Sequence, residues 1–170
     1  MPNPIDYPAL VEQRVACDVG EFRINTLERS MMTNIITPTN RARFVLHANY
    51  FTKMNKTIRL KIWGSKSGAG AKSLHFSMLK NKSFDKYQAL DSIPLGEADC
   101  NFYIETVLTA ISEYSQKVSS ILMLDSSITT INNRATNIKF NEDRIFRIYG
   151  ECSDETDAII VYKYEMYLCG

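Results

Sequence analysis

Residues 57–63 read Thr-Ile-Arg-Leu-Lys-Ile-Trp and alternate strictly between two kinds of side chain. Ile58, Leu60 and Ile62 fall on one side of an extended chain, while the arginine and the lysine between them fall on the other. An antiparallel strand with one face on a core and one face in solvent has this pattern. The segment therefore predicts a half-buried strand, around which the rest of the chain can be ordered.

Further strands are predicted on both sides of this segment. Val, Ile, Phe and Tyr are enriched in short runs that polar turns separate, as is typical of antiparallel β proteins. The predicted strands lie at residues 21–25, 43–52, 73–79, 144–151 and 158–168.

The final segment, 158–168, is the most apolar of these strands. Alternation places Lys163 and Glu165 on its outward face. A strand this apolar on one side belongs inside a sheet rather than at its edge. The residues expected to share its inward face are Ile160, Tyr162, Tyr164, Met166 and Leu168.

The centre of the chain, residues 101–124, fits two interpretations. Its apolar residues recur at helical spacing, but β-branched and aromatic residues, which favour strands, are frequent in it. Polar residues 112–116 divide it into two apolar runs. We predict two strands, 101–111 and 117–124, with one long helix as the alternative.

Together these elements predict an all-β fold. Many short strands, regular turn signals and the lack of a strand–helix–strand rhythm favour an antiparallel, two-sheet β-sandwich of about eight strands. The length of 170 residues suits one such domain, expected over residues 21–170.

Residues 1–20 are expected to form an extended N-terminal arm, because three prolines within the first eight residues disfavour a helix. The arm has two alternative roles. It can lie on a neighbouring subunit, or it can be an edge strand or strap on its own domain. The apolar residues available for assembly on the arm are Ile5, Tyr7, Leu10 and Val11.

The glycine-rich stretch 63–73, WGSKSGAGAKS, raises the question of a phosphate-binding loop. A Walker A loop requires glycine directly before its lysine, but Ala71 precedes Lys72. A strand rather than a helix is predicted to follow it, which is the wrong context. The stretch is therefore predicted to be a mobile loop between two strands, without a nucleotide cofactor.

The composition is that of a globular protein with a formal net charge of +1. No basic arm is present, so nucleic acid is not an expected partner. The N-terminus lacks the apolar core of a signal peptide, and no apolar run is long enough to cross a membrane. The most basic surface that the pattern allows combines Lys53, Lys56, Arg59, Lys61, Lys66 and Lys72.

No constellation of catalytic or metal-binding residues is visible in the sequence. His47 and His75 lie on predicted strands without ligand spacing, and the four cysteines form no close pair. The acidic residues Glu151, Asp154, Glu155 and Asp157 lack the spacing of a calcium loop. We predict no catalytic residue, metal or cofactor, and we select Trp63 as the residue to test for ligand contact.

The order of the strands and turns resembles the jelly-roll modules of viral and phage structural proteins. The resemblance covers about residues 43–168 and consists of patterns of strand and turn rather than of fixed residues. It depends on the pieces RFVLHANYFT at 43–52, NKTIRLKIWG at 55–64, NFYIETVLTAIS at 101–112, SSILMLDSSITTINNRATNIKF at 119–140 and IFRIYGECSDETDAIIVYKYEMYL at 145–168.

The resemblance implies a structural subunit of a virion, such as a capsid-associated, decoration or fibre protein. Such a subunit is expected to be a homotrimer that contacts other virion proteins and is assembled in the host cytoplasm. Two alternatives use the same sandwich. One is a carbohydrate-binding module that binds surface glycans through Trp63, and the other is a glycosidase, whose two carboxylates leave no sequence motif.

Overall fold

The computed structural model describes residues 13–24, 45–46, 56–79, 87–112, 114–138 and 144–170. All regular structure in these ranges is β-strand, and no helix occurs among them. The described strands exceed the eight expected: β1 (Gln13–Ile24), β2 (Val45–Leu46), β3 (Thr57–Ser67), β4 (Lys72–Leu79), β5 (Tyr87–Gly96), β6 (Cys100–Ser112), β7 (Ser115–Leu124), β8 (Ser127–Thr136), β9 (Arg144–Cys152) and β10 (Ala158–Cys169).

The strands form two antiparallel sheets. Sheet A has six strands in the order β1-β10-β3-β6-β7-β8, and sheet B has four in the order β2-β9-β4-β5. Apolar side chains from both sheets, such as Leu60 of β3 and Phe76 of β4, form one buried core. The predicted all-β, two-sheet antiparallel fold is therefore confirmed.

The alternation in β3 has the predicted consequence. Ile58, Leu60 and Ile62 are buried in the core, with exposures of 0 to 3%. Arg59 and Trp63, on the opposite face, are only partly covered. The core-facing side of this strand is thus fixed by its sequence.

Residues 100–124 form two strands rather than a helix. β6 and β7 pair in antiparallel register, with Ile104 opposite Leu122. Every second residue of each strand is buried, as a sheet with one core-facing side requires. The two-strand interpretation of this region is confirmed.

The predicted inward face of the last strand is wrong in its first half, because β10 contains a β-bulge. The pairing with β3 skips Tyr162, since Val161 lies opposite Gly64 and Lys163 lies opposite Trp63. An extra residue on one strand reverses the alternation on one side of the bulge.

The bulge changes which side chains of β10 face the core. Before it, Ile159 and Val161 are buried; after it, Tyr164 and Met166 are buried, as predicted. Tyr162 is 43% exposed instead of lying in the core. Periodicity alone does not mark the position of such a bulge.

Strands β5 and β8 were not predicted. β5 is an edge strand of sheet B and carries Pro94, a residue that strands accept at edges because it donates no hydrogen bond. β8 consists mainly of Thr, Asn and Ser, so its composition resembles that of a spacer. It nevertheless pairs with β7 along its whole length and forms the other edge of sheet A.

The first strand begins within the expected N-terminal arm. β1 starts at Gln13 and pairs with β10, so residues 13–20 lie at an edge of sheet A. This is the edge-strand alternative for that part of the arm. The arm residues Ile5, Tyr7, Leu10 and Val11 lie outside the described residues, as does most of the strand expected at 43–52.

A polar bridge crosses the core between the sheets. Asp91 of β5 is 4% exposed, and one of its carboxylate oxygens accepts a hydrogen bond from the hydroxyl of Ser120 in β7. Its other oxygen accepts from the backbone N–H of Ser92 at 2.9 Å. Ser120 lies 2.9 Å from the hydroxyl of Thr106, its neighbour on β6. Buried polar groups are satisfied in this way, and the bridge fixes β5 over β7.

Candidate functional site

The outer face of sheet A, meaning its side away from the core, is the candidate functional site. Trp63 of β3 lies at its centre, opposite Lys163 of β10 and Tyr103 of β6. The rings of Trp63 and Tyr103 have centroids 5.2 Å apart with planes inclined at 45°. The Lys163 ammonium lies 4.9 Å from the centroid of the Trp63 ring, within cation–π range.

An apolar row continues from these aromatic residues across the sheet. Tyr103 lies opposite Met123 of β7, which in turn lies opposite Ile128 of β8. Directly opposite side chains in neighbouring strands are close enough to form one continuous surface. We use "apolar row" for Trp63, Tyr103, Met123 and Ile128, together with Ile121 on the same face of β7.

The apolar row is half-buried at Trp63, Tyr103 and Met123 and is exposed at its two isoleucines. Ile128 is 59% exposed and Ile121 is 36% exposed. Tyr162, which the bulge turns outward, lies near the start of the row, and its hydroxyl is 2.7 Å from that of Ser65. Contiguous exposed apolar surface of this kind is typical of interaction sites.

Two carboxylates flank the row, and each is engaged by neighbours. Glu105 lies 3.3 Å from the Arg59 guanidinium and accepts a hydrogen bond of 2.7 Å from the Tyr103 hydroxyl. Burial, reinforced by the Glu105 carboxylate, raises the pKa of Tyr103 well above its ordinary value. The phenol therefore remains protonated and acts as a donor.

The second carboxylate, Glu165, has an equivalent set of partners. It lies 2.7 Å from the Lys163 ammonium and accepts a hydrogen bond of 2.8 Å from the Tyr167 hydroxyl. Lys61 lies between the two glutamates in register, and its ammonium is 5.3 Å from the centroid of the Tyr167 ring. The outer face thus combines aromatic, aliphatic and paired charged side chains.

The glycine-rich loop is a separate cluster at one end of the sandwich. β3 extends to Ser67, so only residues 68–71 connect it to β4. The Lys72 ammonium donates hydrogen bonds to the carbonyls of Gly68 and Gly70, both at 2.6 Å, and of Glu97 at 3.2 Å. The loop is therefore anchored by its own lysine.

Asp157 completes this lysine cage, which we define as Lys72, Asp157 and the loop carbonyls around the ammonium. Lys72 and Asp157 lie 3.4 Å apart with fully buried side chains. Asp157 also accepts backbone hydrogen bonds from Gly70 at 2.8 Å and Asp154 at 3.0 Å. Gly68 has a positive φ of 96°, which favours glycine at that position.

The lysine cage sets the ionisation of Asp157. Burial by itself would raise the pKa of this carboxyl, but the hydrogen bonds from Gly70 and Asp154 and the Lys72 ammonium outweigh it and lower the pKa. The residue therefore stays ionised opposite its lysine.

The predicted basic surface is wrong at two of its six positions. Lys72 is 1% exposed, and Lys66 is 3% exposed and donates to the carbonyl of Ala98. A buried ammonium that donates its hydrogen bonds to backbone carbonyls is satisfied within the fold and presents no charge to a phosphate. Lys53 lies outside the described residues.

His75 lies on the outward side of sheet B between two polar neighbours. Its Nδ1 is 2.8 Å from the Ser92 hydroxyl, and its Nε2 is 3.5 Å from a Glu151 carboxylate oxygen. Burial lowers the pKa of His75 more than Glu151 raises it, so the imidazole is neutral near pH 7. A shallow cleft of about 310 Å³ adjoins Glu151 and is also lined by Ala71, Ser73, Cys152 and Ser153.

The described residues contain no group of three or more His, Cys, Asp or Glu side chains placed to hold a metal ion. Cys100, Cys152 and Cys169 are free thiols. His47 lies outside the described ranges. No helix within those ranges is long and apolar enough to span a membrane.

Comparison of the chain with protein-family models, with curated proteins and with solved structures gives no match. No relative therefore assigns a role to any residue.

Proposed function

We propose that the chain is a structural subunit of a virus or phage particle, built on a jelly roll. The observation that supports this proposal best is the nesting of the strand pairs. β1 pairs with β10, β2 with β9, β3 with β6 and β4 with β5, and successive pairs alternate between sheets A and B.

Nested antiparallel pairs are expected when one long hairpin is rolled into two facing sheets. A jelly roll has eight strands arranged in this way and is common in viral capsid and lectin domains. In this chain β7 and β8 follow β6 as an additional hairpin that widens sheet A. The topology and the sequence resemblance thus support the same class of protein.

Assembly is the expected role of such a subunit. Edge strands such as β1 and β8 present backbone groups that pair readily with other chains unless something covers them. Closed symmetric oligomers are the usual solution. We expect a homotrimer in which the residues before Gln13 contact a neighbouring subunit, and which joins other virion proteins in the host cytoplasm.

Light scattering on the full chain and on a form lacking residues 2–12 tests this role. The truncation ends before β1, so it leaves sheet A intact. We expect the full chain to have three times the 19.4 kDa mass of one chain, or a larger multiple, and the truncated form to have a smaller mass. A full chain that stays monomeric at all concentrations would contradict the proposal.

Carbohydrate binding is the alternative function, and the position of Trp63 favours it. The residue lies on an outward sheet face beside a second aromatic ring, Tyr103, at 5.2 Å. A glycan array probed with the wild type and with Trp63→Ala tests this alternative. Tyr114→Ala, at an aromatic residue that is 53% exposed in a turn, is the matched control.

A further inference from the structure

The apolar row has the composition of the centre of a protein interface. Trp, Tyr and Met are enriched at such centres, and the residues that dominate binding are mostly Trp, Tyr and Arg. The row contains Trp63, Tyr103 and Met123, and Arg59 lies on the same face of β3, beyond Lys61. The exposed aliphatic side chains of Ile121 and Ile128 extend it to the edge strand β8.

The extent of the face suits a stable protein contact. Strands lie about 4.8 Å apart, so the five strands from β10 to β8 span roughly 20 Å, and five outward positions along a strand span roughly 27 Å. The face therefore has a projected area of roughly 500 Å², and side-chain relief increases its accessible area. Each partner in a standard interface buries about 800 Å².

The charges beside the apolar row favour a second copy of the same chain as the occupant. Lys61 of β3 and Glu105 of β6 lie opposite each other and are partly exposed, so that the sign alternates between the two strands, whereas Glu165 is 8% exposed and already paired with Lys163. A two-fold contact places a surface against itself, and an alternating row can then bring Lys61 opposite a carboxylate of the other copy.

We propose that the outer face of sheet A packs against the same face of a second copy of the chain, with Trp63, Tyr103 and Met123 at the centre of the contact. Two sheets packed face to face lie about 10 Å apart, with interdigitating side chains. This inference rests on the proposed assembly function and adds a two-fold contact to it. The contact is separate from the one made by the N-terminal residues.

The first test changes the charge at the centre of the face. Met123→Lys, made in the full chain, is expected to weaken self-association by at least about thirtyfold in a dilution series followed by light scattering. Ala69→Lys adds the same charge at an exposed loop position away from the face and is expected to have no effect. Trp63→Phe keeps an aromatic ring and is expected to retain the contact.

Thermal unfolding of each variant checks that it is folded. We expect the variants to fold, because the changed side chains point away from the core. Self-association that Met123→Lys leaves unchanged would overturn the inference. If truncation of residues 2–12 still lowered the mass in that case, the proposed assembly function would stand. The inference would also be overturned if a saccharide bound at Trp63 and Met123→Lys left the mass of the assembly unchanged.

A second test does not depend on loss of association. A photoreactive benzoylphenylalanine at position 121, in the full chain, is expected to give a covalent product of twice the chain mass. Its cross-linked peptide should contain residues 57–65, 103–107 or 119–128. A cross-link only to a peptide outside sheet A, or no intermolecular product, would overturn the proposal.

Discussion

The ammonium of Lys72 lies 3.4 Å from the carboxylate of Asp157, and solvent reaches neither side chain. Lys72 also binds the carbonyls of Gly68, Gly70 and Glu97, so it joins the β3–β4, β5–β6 and β9–β10 loops. A single side chain thus closes one end of the sandwich.

Replacement of Lys72 is expected to destabilise the protein strongly. Lys72→Met leaves Asp157 ionised without its partner and three carbonyls without a donor, and breaking a buried pair is strongly destabilising. We expect the melting temperature to fall by roughly 10 °C. Lys117→Met, at an exposed position on β7, is the control and should change it little. An equal effect of the two substitutions would contradict this role of the lysine cage.

Acid is expected to weaken the same end of the molecule. Because the folded state lowers the pKa of Asp157, its contribution to stability is complete above the ordinary value of 3.8 and is lost as the pH falls through the lower folded-state value. Melting temperatures measured from about pH 6 to about pH 2 should therefore show a decline below about pH 4 that is smaller in Asp157→Asn. Parallel curves for the two proteins would contradict the prediction.

His75 should cause a second decline in stability, at higher pH than that of Asp157. Burial lowers its folded-state pKa, so the unfolded chain takes up a proton first as the pH falls below the ordinary value of 6.5. Stability is then complete above that value and decreases as the pH falls toward the folded-state pKa. His75→Gln is expected to abolish this decline between about pH 7.5 and about pH 5, measured by chemical denaturation.

Gly64 is expected to tolerate no side chain. A Cβ at this position would overlap the carbonyl oxygen of Ile160, which is backbone, and the ring of Phe102. Overpacking of a core in this way costs about 1–3 kcal/mol. Gly64→Ala should lower the free energy of unfolding by that amount in urea titrations, whereas Ser126→Ala, in an exposed turn, should be neutral.

The polar bridge gives a prediction about coupling between the sheets. Ser120→Ala removes a donor from the buried Asp91 carboxylate and should destabilise the protein by about 2 kcal/mol. Asp91→Asn weakens the same hydrogen bond. The free energy of unfolding should therefore fall by less in the double variant than by the sum of the two single effects, as a double-mutant cycle would measure. Additive effects would show that the two residues are not coupled.

The sequence predicted those parts of the fold that local alternation controls. Ile58, Leu60 and Ile62 lie in the core as expected, because a strand places every second side chain on one face. Tyr162 was predicted in the core but is exposed, since the bulge depends on how β10 pairs with β3 and not on its own residues.

The candidate site could not be predicted to the same extent. Trp63 was selected because it ends an alternating run, and it lies at the centre of the outer face. Met123 and Ile128 join it only through the register of four strands, which the sequence does not specify. Lys72 was assigned to a basic surface, because nothing near it in sequence reveals that Asp157 lies beside it.

The position of β10 between β1 and β3 has a consequence for biosynthesis. Ala158–Cys169 form an interior strand of sheet A, so β1 and β3 cannot be joined until this segment has left the ribosome. Until then the earlier strands expose their apolar faces. The pairings of β10 with β1 and with β3 are long-range in sequence, and long-range strand pairings form slowly. Sheet A is therefore expected to be completed only after β10 has been synthesised, and until then the exposed strands are expected to be substrates for chaperones.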